Sequence, residues 1–399
     1  MLLLRIFLLG LSFNGLLRAE LWFGRDIEQL AVIKDPVVDV FINVPLPIDI
    51  VPASPQSKVN GCRRAHQCLF NEVVTCIARE GSLVKIACEN VIYGLDDVTG
   101  VPLNSFWITE DHLLFLKDMK QEQRAAIPQE MNFDVDKKGL LRDENAYMIE
   151  PQTLVLTFPW NEFSLGTRFV RVADYDSAQE YAVKMNTRAN EIPALMAIPK
   201  QLCRLEKALS LQQARIEFVM VLNQLVDRIE QLYPQVIPYV WGGSSFVHEY
   251  QDLLFYEHGG VWERPEKYSV YTGYDCSEFI LRLAQMSGVP YLFKTTRVLE
   301  QCAQELKIGD TLQEGDLIWM PGHVMIVSNI PRNEIIEARS YSSGFGKVQR
   351  LSLKECFEGI TTYADLQDAC FAKKTLKMLN KEGSPVSDKQ CKLLKLYRE

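Results

Sequence analysis

GYDCSEFILRLAQMSG, residues 273–288, reads as a loop that turns into a short helix, and the placement of its cysteine decides the reading of the chain. Asp275 is a natural N-cap, Glu278 stands where the reciprocal capping-box residue belongs, and Gly288 marks the stop. Cys276 then occupies the first helical position. A thiol is a weak nucleophile until it ionises, and an unperturbed one does so near pH 8.5. A helix N-terminus carries roughly half a positive charge and free N–H groups, which favour a thiolate and can hold an oxyanion. Asp275 opposes that effect, so a second activating partner is required. Only five histidines are available. GDLIWMPGHVMIV (315–327) reads as two strands joined at Pro321-Gly322, with His323 opening the second. A base on a rigid strand beside a thiolate is what a Cys–His pair needs. Taken singly, Cys276 is as readily a packing residue and His323 an ordinary strand residue; their joint context carries the chemistry.

Outward from this pair, residues 210–232 form an amphipathic pattern, with Leu211, Ala214, Phe218, Val221, Leu225, Ile229 and Leu232 at spacings of three and four. Ser210 and Gln213 make a capping box, and Pro234 ends the helix. PYVWGG (238–243) follows, an aromatic stretch ending in paired glycines.

These segments together resemble the NlpC-type (NlpC/p60) cell-wall cysteine peptidases. The matching pieces are PYVWGG, Asp-Cys-Ser at a helix start, Gly-Asp-Leu at 315–317 and Gly-His-Val at 322–324, over about residues 205–360. The resemblance implies an α+β papain-like catalytic domain over 205–362, an antiparallel sheet with the nucleophile-bearing helix packed on it. It implies hydrolysis of the bond between γ-D-glutamate and a diamino acid, usually meso-diaminopimelate, in peptidoglycan stem peptides, without a cofactor or metal. Catalytic roles fall to Cys276 and His323. The family's third position is a His, Asn or Gln on the next strand, EIIEARS (334–340), and here it is Glu337. A carboxylate accepts the imidazole N–H and stabilises imidazolium more than an amide does. Substrate-binding positions carry over to Tyr239, Asp275 and Ser277, and Lys294, Thr295 and Thr296 fall where relatives have Arg-x-Ser/Thr. In relatives that cut free stems, the Asp and Ser hold an N-terminal amine, although helix capping explains Asp275 equally well. Between Gly243 and Cys276 the family has a short loop. Here an insertion at 244–272 carries Phe246, Tyr250, Phe255, Tyr256, Trp262, Tyr268, Tyr271, His248 and His258, and is expected to be a lid or extra cleft wall.

Upstream, VVDVFINV (37–44), LFNEVVTCIA (69–78), SLVKIACE (82–89) and SFWIT (105–109) alternate partly and are broken by turn residues. The stretch 35–118 resembles a bacterial SH3-like β-barrel, through Leu69, Phe70, Asn71, Glu72, Val74, Trp107 and Ile108, with Leu83 where a Trp is usual. A second such unit is expected over 148–200, with strands in TLVLTF (153–158) and TRFVRVADY (167–175) joined at Leu165-Gly166-Thr167. The C-terminal segment 363–399 is polar and Lys-rich, expected as a short helix and tail.

Composition narrows the classes. The chain has 399 residues, 47% hydrophobic and 24% charged, which suits two or three folded domains. A net charge of −8 with no basic run excludes the electrostatic footprint of nucleic-acid binding. MLLLRIFLLGLSFNGLLRAE has one early charge and an apolar run too short for a comfortable span, so residues 1–19 are expected to be a signal peptide and the chain exported, periplasmic or extracellular, with no membrane span in the mature form. The ten cysteines include Cys62, Cys68, Cys76 and Cys88 close together, without a C-x-x-C, so buried thiols with one or two bridges are expected and no metal. No His-Glu-x-x-His is present, which argues against a metallopeptidase. A non-catalytic wall-binding protein and a cysteine amidase or acyltransferase on the same fold stay open as alternatives.

Overall fold

The computed structural model describes residues 27–45, 64–128, 152–186, 192–232, 236–247 and 272–397. The expected signal peptide at 1–19, and the stretch 248–271 that makes up most of the expected lid, lie outside the described residues.

The architecture is mixed α/β with several antiparallel sheets. The first is built from β1 (Leu30–Ile33), β2 (Val37–Phe41), β3 (Arg64–Leu69), β4 (Val73–Glu80), β5 (Leu83–Ala87), β6 (Ser105–Thr109) and β7 (Leu113–Phe115), in the order β3-β2-β6-β5-β4-β1-β7. Alternation sets its inward face: in β5 and β6 the buried residues are Val84, Ile86, Phe106 and Ile108, every second position. The turn Leu69-Phe70-Asn71-Glu72 works because Asn71 takes a positive φ of 68°, and Glu72 accepts the Leu69 N–H at 3.0 Å. The second sheet holds β8 (Thr153–Leu156), β9 (Arg168–Arg171), β10 (Glu180–Met185), β11 (Ala194–Pro199) and β12 (Cys203–Leu205), in the order β11-β10-β9-β8-β12. Among the described residues both sheets stay open, because their end strands do not pair with each other, whereas closed barrels were expected. Alternation predicts which residues face inward; it does not predict whether the last strand returns to the first.

Helix α1 (Leu211–Gln231) follows, and its capping box forms as the sequence predicts: Gln213 Oε1 accepts the Ser210 N–H at 3.0 Å and Ser210 Oγ accepts the Gln213 N–H at 3.3 Å. Helix α2 (Cys276–Ser287) and the short α3 (Thr296–Cys302) come next. The third sheet has β13 (Leu317–Met320), β14 (His323–Asn329), β15 (Glu334–Arg339) and β16 (Lys347–Ser352). Beyond it lie α4 (Tyr363–Phe371), the hairpin β17 (Thr375–Leu379) and β18 (Pro385–Gln390), and β19 (Lys392–Leu394). The sheet order is β16-β15-β14-β13-β19, so the segment expected to be a tail supplies an edge strand. Its Leu393 and Leu394 are buried, and a Cys370–Cys391 disulfide ties α4 to the start of β19. Apolar residues paired across more than 70 positions leave no local periodicity to read.

Every residue of α2 is buried, the polar ones included. Such a helix is held only if each polar group finds a partner. Arg282 meets Glu72 of the first sheet at 2.6 Å and donates to the Ser244 and Gln67 carbonyls and to Gln285. From the second sheet, Arg168 pairs with Glu206 at 2.8 Å and donates to the Gln285 carbonyl. One hydrophobic core accordingly runs from β1 and β5 through α1 and α2 into β14 and β15. The paired glycines of PYVWGG serve this junction. A Cβ on Gly242, whose φ is +66°, would stand 2.6 Å from the Arg64 carbonyl, and one on Gly243 would stand 2.5 Å from that of Gly273.

Candidate active site

Asp275 caps α2 as predicted: its Oδ1 accepts from Ser277 N at 3.0 Å, Ser277 Oγ at 3.0 Å and Glu278 N at 2.8 Å, and its Oδ2 accepts from Gly242 N at 3.1 Å. Gly288 closes the helix with a left-handed φ of 74°. The capping box does not form. Glu278 turns away from the N-cap and accepts from His66 Nδ1 at 2.8 Å and from Lys294 Nζ at 3.1 Å, all three buried. A buried ammonium and a buried ring N–H together draw the carboxylate more strongly than one capping bond does.

Cys276 stands at the first position of α2 and is 8% exposed. Burial, then the Asp275 carboxylate, push its thiol up to about 12, against the backbone N–H groups of Val324, Ser277 and Cys276 itself, which favour the thiolate. The helix start acts in the expected direction, but desolvation outweighs it, and the thiol is protonated at neutral pH.

The Val324 N–H that reaches this sulfur belongs to the residue after His323. His323 opens β14, and its Nε2 lies 2.6 Å from Glu337 Oε2 on β15. Glu337 is fully buried, and its other oxygen receives Arg339 Nη1 at 3.4 Å and Gln349 Nε2 at 3.2 Å. Burial alone would raise the Glu337 pKa; the bond and charge of His323, with Arg339 and Gln349, hold it below the ordinary glutamate value. An ionised Glu337 accepts a hydrogen bond from the Nε2–H, which fixes the tautomer and leaves Nδ1 as the basic nitrogen.

Tyr239, 7% exposed, pairs its backbone with Tyr274, and its hydroxyl feels both Cys276 and Asp275; burial first, then those two groups, raise its pKa. Ser277 is buried and committed to Asp275. Thr296 is set apart. Its carbonyl accepts from Trp319 Nε1 at 2.7 Å, and among the described residues nothing ties its side chain to Cys276.

Two further members of this neighbourhood are His66, which sequence reasoning passed over, and Lys294, which it noted only by position. The buried Lys294 ammonium interacts with Glu278, Asp275 and Cys276, and these acids outweigh its desolvation to raise its pKa. Its place is set by backbone pairing to Ile92, in the connection between β5 and β6: Ile92 N donates to the Leu292 carbonyl at 2.7 Å and Lys294 N to the Ile92 carbonyl at 2.9 Å. The one signal in the sequence was the position of Lys294 after α2, where a basic residue recurs in the resembling family. His66 gave none.

The solved structures that align with this chain include three of differing closeness. An NlpC/P60 family protein from Bacillus cereus ATCC 10987 aligns over 81% of this chain and 94% of its own, at 15% identity and a TM-score of 0.51. NlpC2 from Trichomonas vaginalis aligns over 93% and 98%, at 11% identity and a TM-score of 0.32. The peptidoglycan hydrolase RipB from Mycobacterium tuberculosis aligns over 48% and 70%, at 19% identity and a TM-score of 0.24. The first of these likenesses is one of fold. No protein-family model matches the chain, and no curated protein sequence matches it significantly.

Proposed function

We propose that this chain is an exported cysteine peptidase that cuts the γ-D-glutamyl–diamino acid bond, with meso-diaminopimelate as the diamino acid, in peptidoglycan stem peptides. The observation that carries the reading is the buried His323–Glu337 contact at 2.6 Å, on the strand whose next N–H reaches the Cys276 thiol. The arrangement of domains that goes with it is a signal peptide at 1–19, SH3-like units at 35–118 and 148–200, and a catalytic domain at 205–362 extended by 363–399.

In this mechanism His323 Nδ1 takes the thiol proton of Cys276 as sulfur attacks the γ-glutamyl carbonyl carbon. The C=O electrons move onto oxygen, and the Cys276 backbone N–H, the one at the start of α2 that Asp275 does not take, stabilises that oxyanion. Collapse breaks the C–N bond, and the leaving amine of the diamino acid carries away the proton held by His323. Water, deprotonated by the same ring, then hydrolyses the thioester and returns the thiol. Glu337 is a positioning residue that holds the ring and stabilises imidazolium. A thiol that is neutral at rest suits a concerted transfer, in which charge appears only as substrate excludes water. Tyr239, Asp275, Ser277 and Thr296 are the proposed substrate contacts, with Lys294 offsetting the Asp275 charge beside the sulfur.

The raised pKa of Cys276 favours a competing reading, a wall-binding protein without turnover. The two separate by mass spectrometry of the protein incubated with L-Ala-γ-D-Glu-meso-diaminopimelate, beside a Cys276→Ala control. Release of diaminopimelate by the native chain alone supports the peptidase; intact peptide, with the chain folded and reduced, supports the binding protein.

A further inference from the structure

On the far edge of the third sheet, α1 and β16 leave a half-open cleft of about 420 Å³ between them. Val226 and Ile229 of α1, Val236 and Ile237 after it, and Val348 of β16 give it an apolar wall. Its charges are not balanced. Arg350 is spoken for by Asp227 at 2.7 Å and Glu230 at 3.2 Å, which leaves Glu230 engaged as well. Lys347 and Lys381 also line the cleft, and among the described residues neither ammonium makes an ion pair. They act on each other: burial first, then the Lys381 charge, lowers the Lys347 pKa, and Glu230 only partly offsets this.

Lys347 is half-buried and Lys381 exposed, so their repulsion beside the apolar wall is a small cost, but one the lining leaves without a counter-charge. An anion between them would remove it. The shape says which kind. The apolar wall gives nothing to a fully hydrated inorganic anion, and the guanidinium that would fork onto a phosphate is already taken. A volume of this size lies in the range of small-molecule sites and is too small for a folded partner.

We propose that this cleft binds a small carboxylate bearing an apolar side chain, its charge between Lys347 and Lys381 and its chain against Val226, Ile229, Val236 and Ile237. Gln349 forms part of the lining and also donates to Glu337 at 3.2 Å, so the site backs directly onto the group that holds His323. The binding itself does not depend on the peptidase reading.

The test is calorimetric titration of the full chain, carrying Cys276→Ser to silence turnover, with N-acetyl-leucine, N-acetyl-leucine amide and acetate. The acid is expected to bind saturably and to weaken with added salt, the amide and acetate at least about tenfold more weakly. Lys347→Gln and Lys381→Gln are each expected to weaken the acid about tenfold, with unchanged melting temperatures. Absence of saturable binding by the acid, equal binding of acid and amide, or native affinity in both lysine variants would overturn the proposal. Failure here leaves the hydrolysis assay untouched, so the two readings fall separately.

Discussion

At the scale of single residues, Glu337 and Lys294 make the most exposed predictions. Glu337→Gln keeps an acceptor for the His323 ring but loses the charge that favours imidazolium. If Glu337 positions the base, kcat is expected to fall about 10²-fold or more with KM little changed, and the lower limb of the pH–rate profile to move. A profile and rate equal to native would refute the role. The same carboxylate predicts a pH dependence of stability. Its native pKa lies below the unfolded value, so its contribution is fully present above the ordinary glutamate range and is lost as pH falls through the depressed native value. Urea midpoints measured from neutral to acid pH are expected to fall less steeply in Glu337→Gln than in the native chain. Lys294→Met removes one cation from the buried Glu278 carboxylate and is expected to destabilise by about 3 kcal/mol, part of it recovered in Lys294→Met/Glu278→Gln. At this scale the sequence was readable wherever the chemistry is local. Asp275 and Gly288 declare the two ends of one helix and so place Cys276 at its start, whereas Glu337 was singled out only by resemblance to a family. Glu278 was misread because its spacing from Asp275 allowed a cap, while the His66 and Lys294 that claim it come from elsewhere in the chain.

Elements were legible in proportion to their periodicity. Helix α1 carried both its apolar stripe and its capping box in the sequence, and Ser210→Ala is expected to cost about 1 kcal/mol in chemical denaturation. In the first sheet β2, β4, β5 and β6 were recognisable from alternation, but β1, β3 and β7 were not, and neither was the spatial order, since pairing partners are chosen by three-dimensional fit and not by neighbouring residues. The clearest case is β19. Three residues are too few to show a period, and the strand is recognisable only once Leu393 and Leu394 are seen against Ile318 and Leu317. Its anchor gives a direct test. The Cys370–Cys391 bridge closes a separation of 21 residues, so Cys370→Ser/Cys391→Ser is expected to lose about 3 kcal/mol. A guanidinium midpoint equal to that of the oxidised native chain would show that the edge strand needs no staple.

For the whole molecule, the decisive fact is that helix α2 is clasped by three sheets at once. Arg282→Met leaves Glu72 partly buried without its cation and is expected to destabilise by about 3–5 kcal/mol. Because one core joins the sheets, the loss is expected in a single cooperative transition; two separated transitions in calorimetry would show that the first sheet melts independently. Composition and charge spoke only to broad function class, and nothing in them reported this shared interior. The clasp also bears on ancestry. Modules joined by a linker can be exchanged by gene fusion, each bringing a finished surface. Here Glu72 and His66 are answered by Arg282 and Glu278 on another sheet's helix, so a borrowed N-terminal half would arrive with its charges unanswered. Such pairing favours descent with paired substitution over recombination at the boundary, and positions 66 with 278 and 72 with 282 are where an alignment of relatives is expected to show joint change.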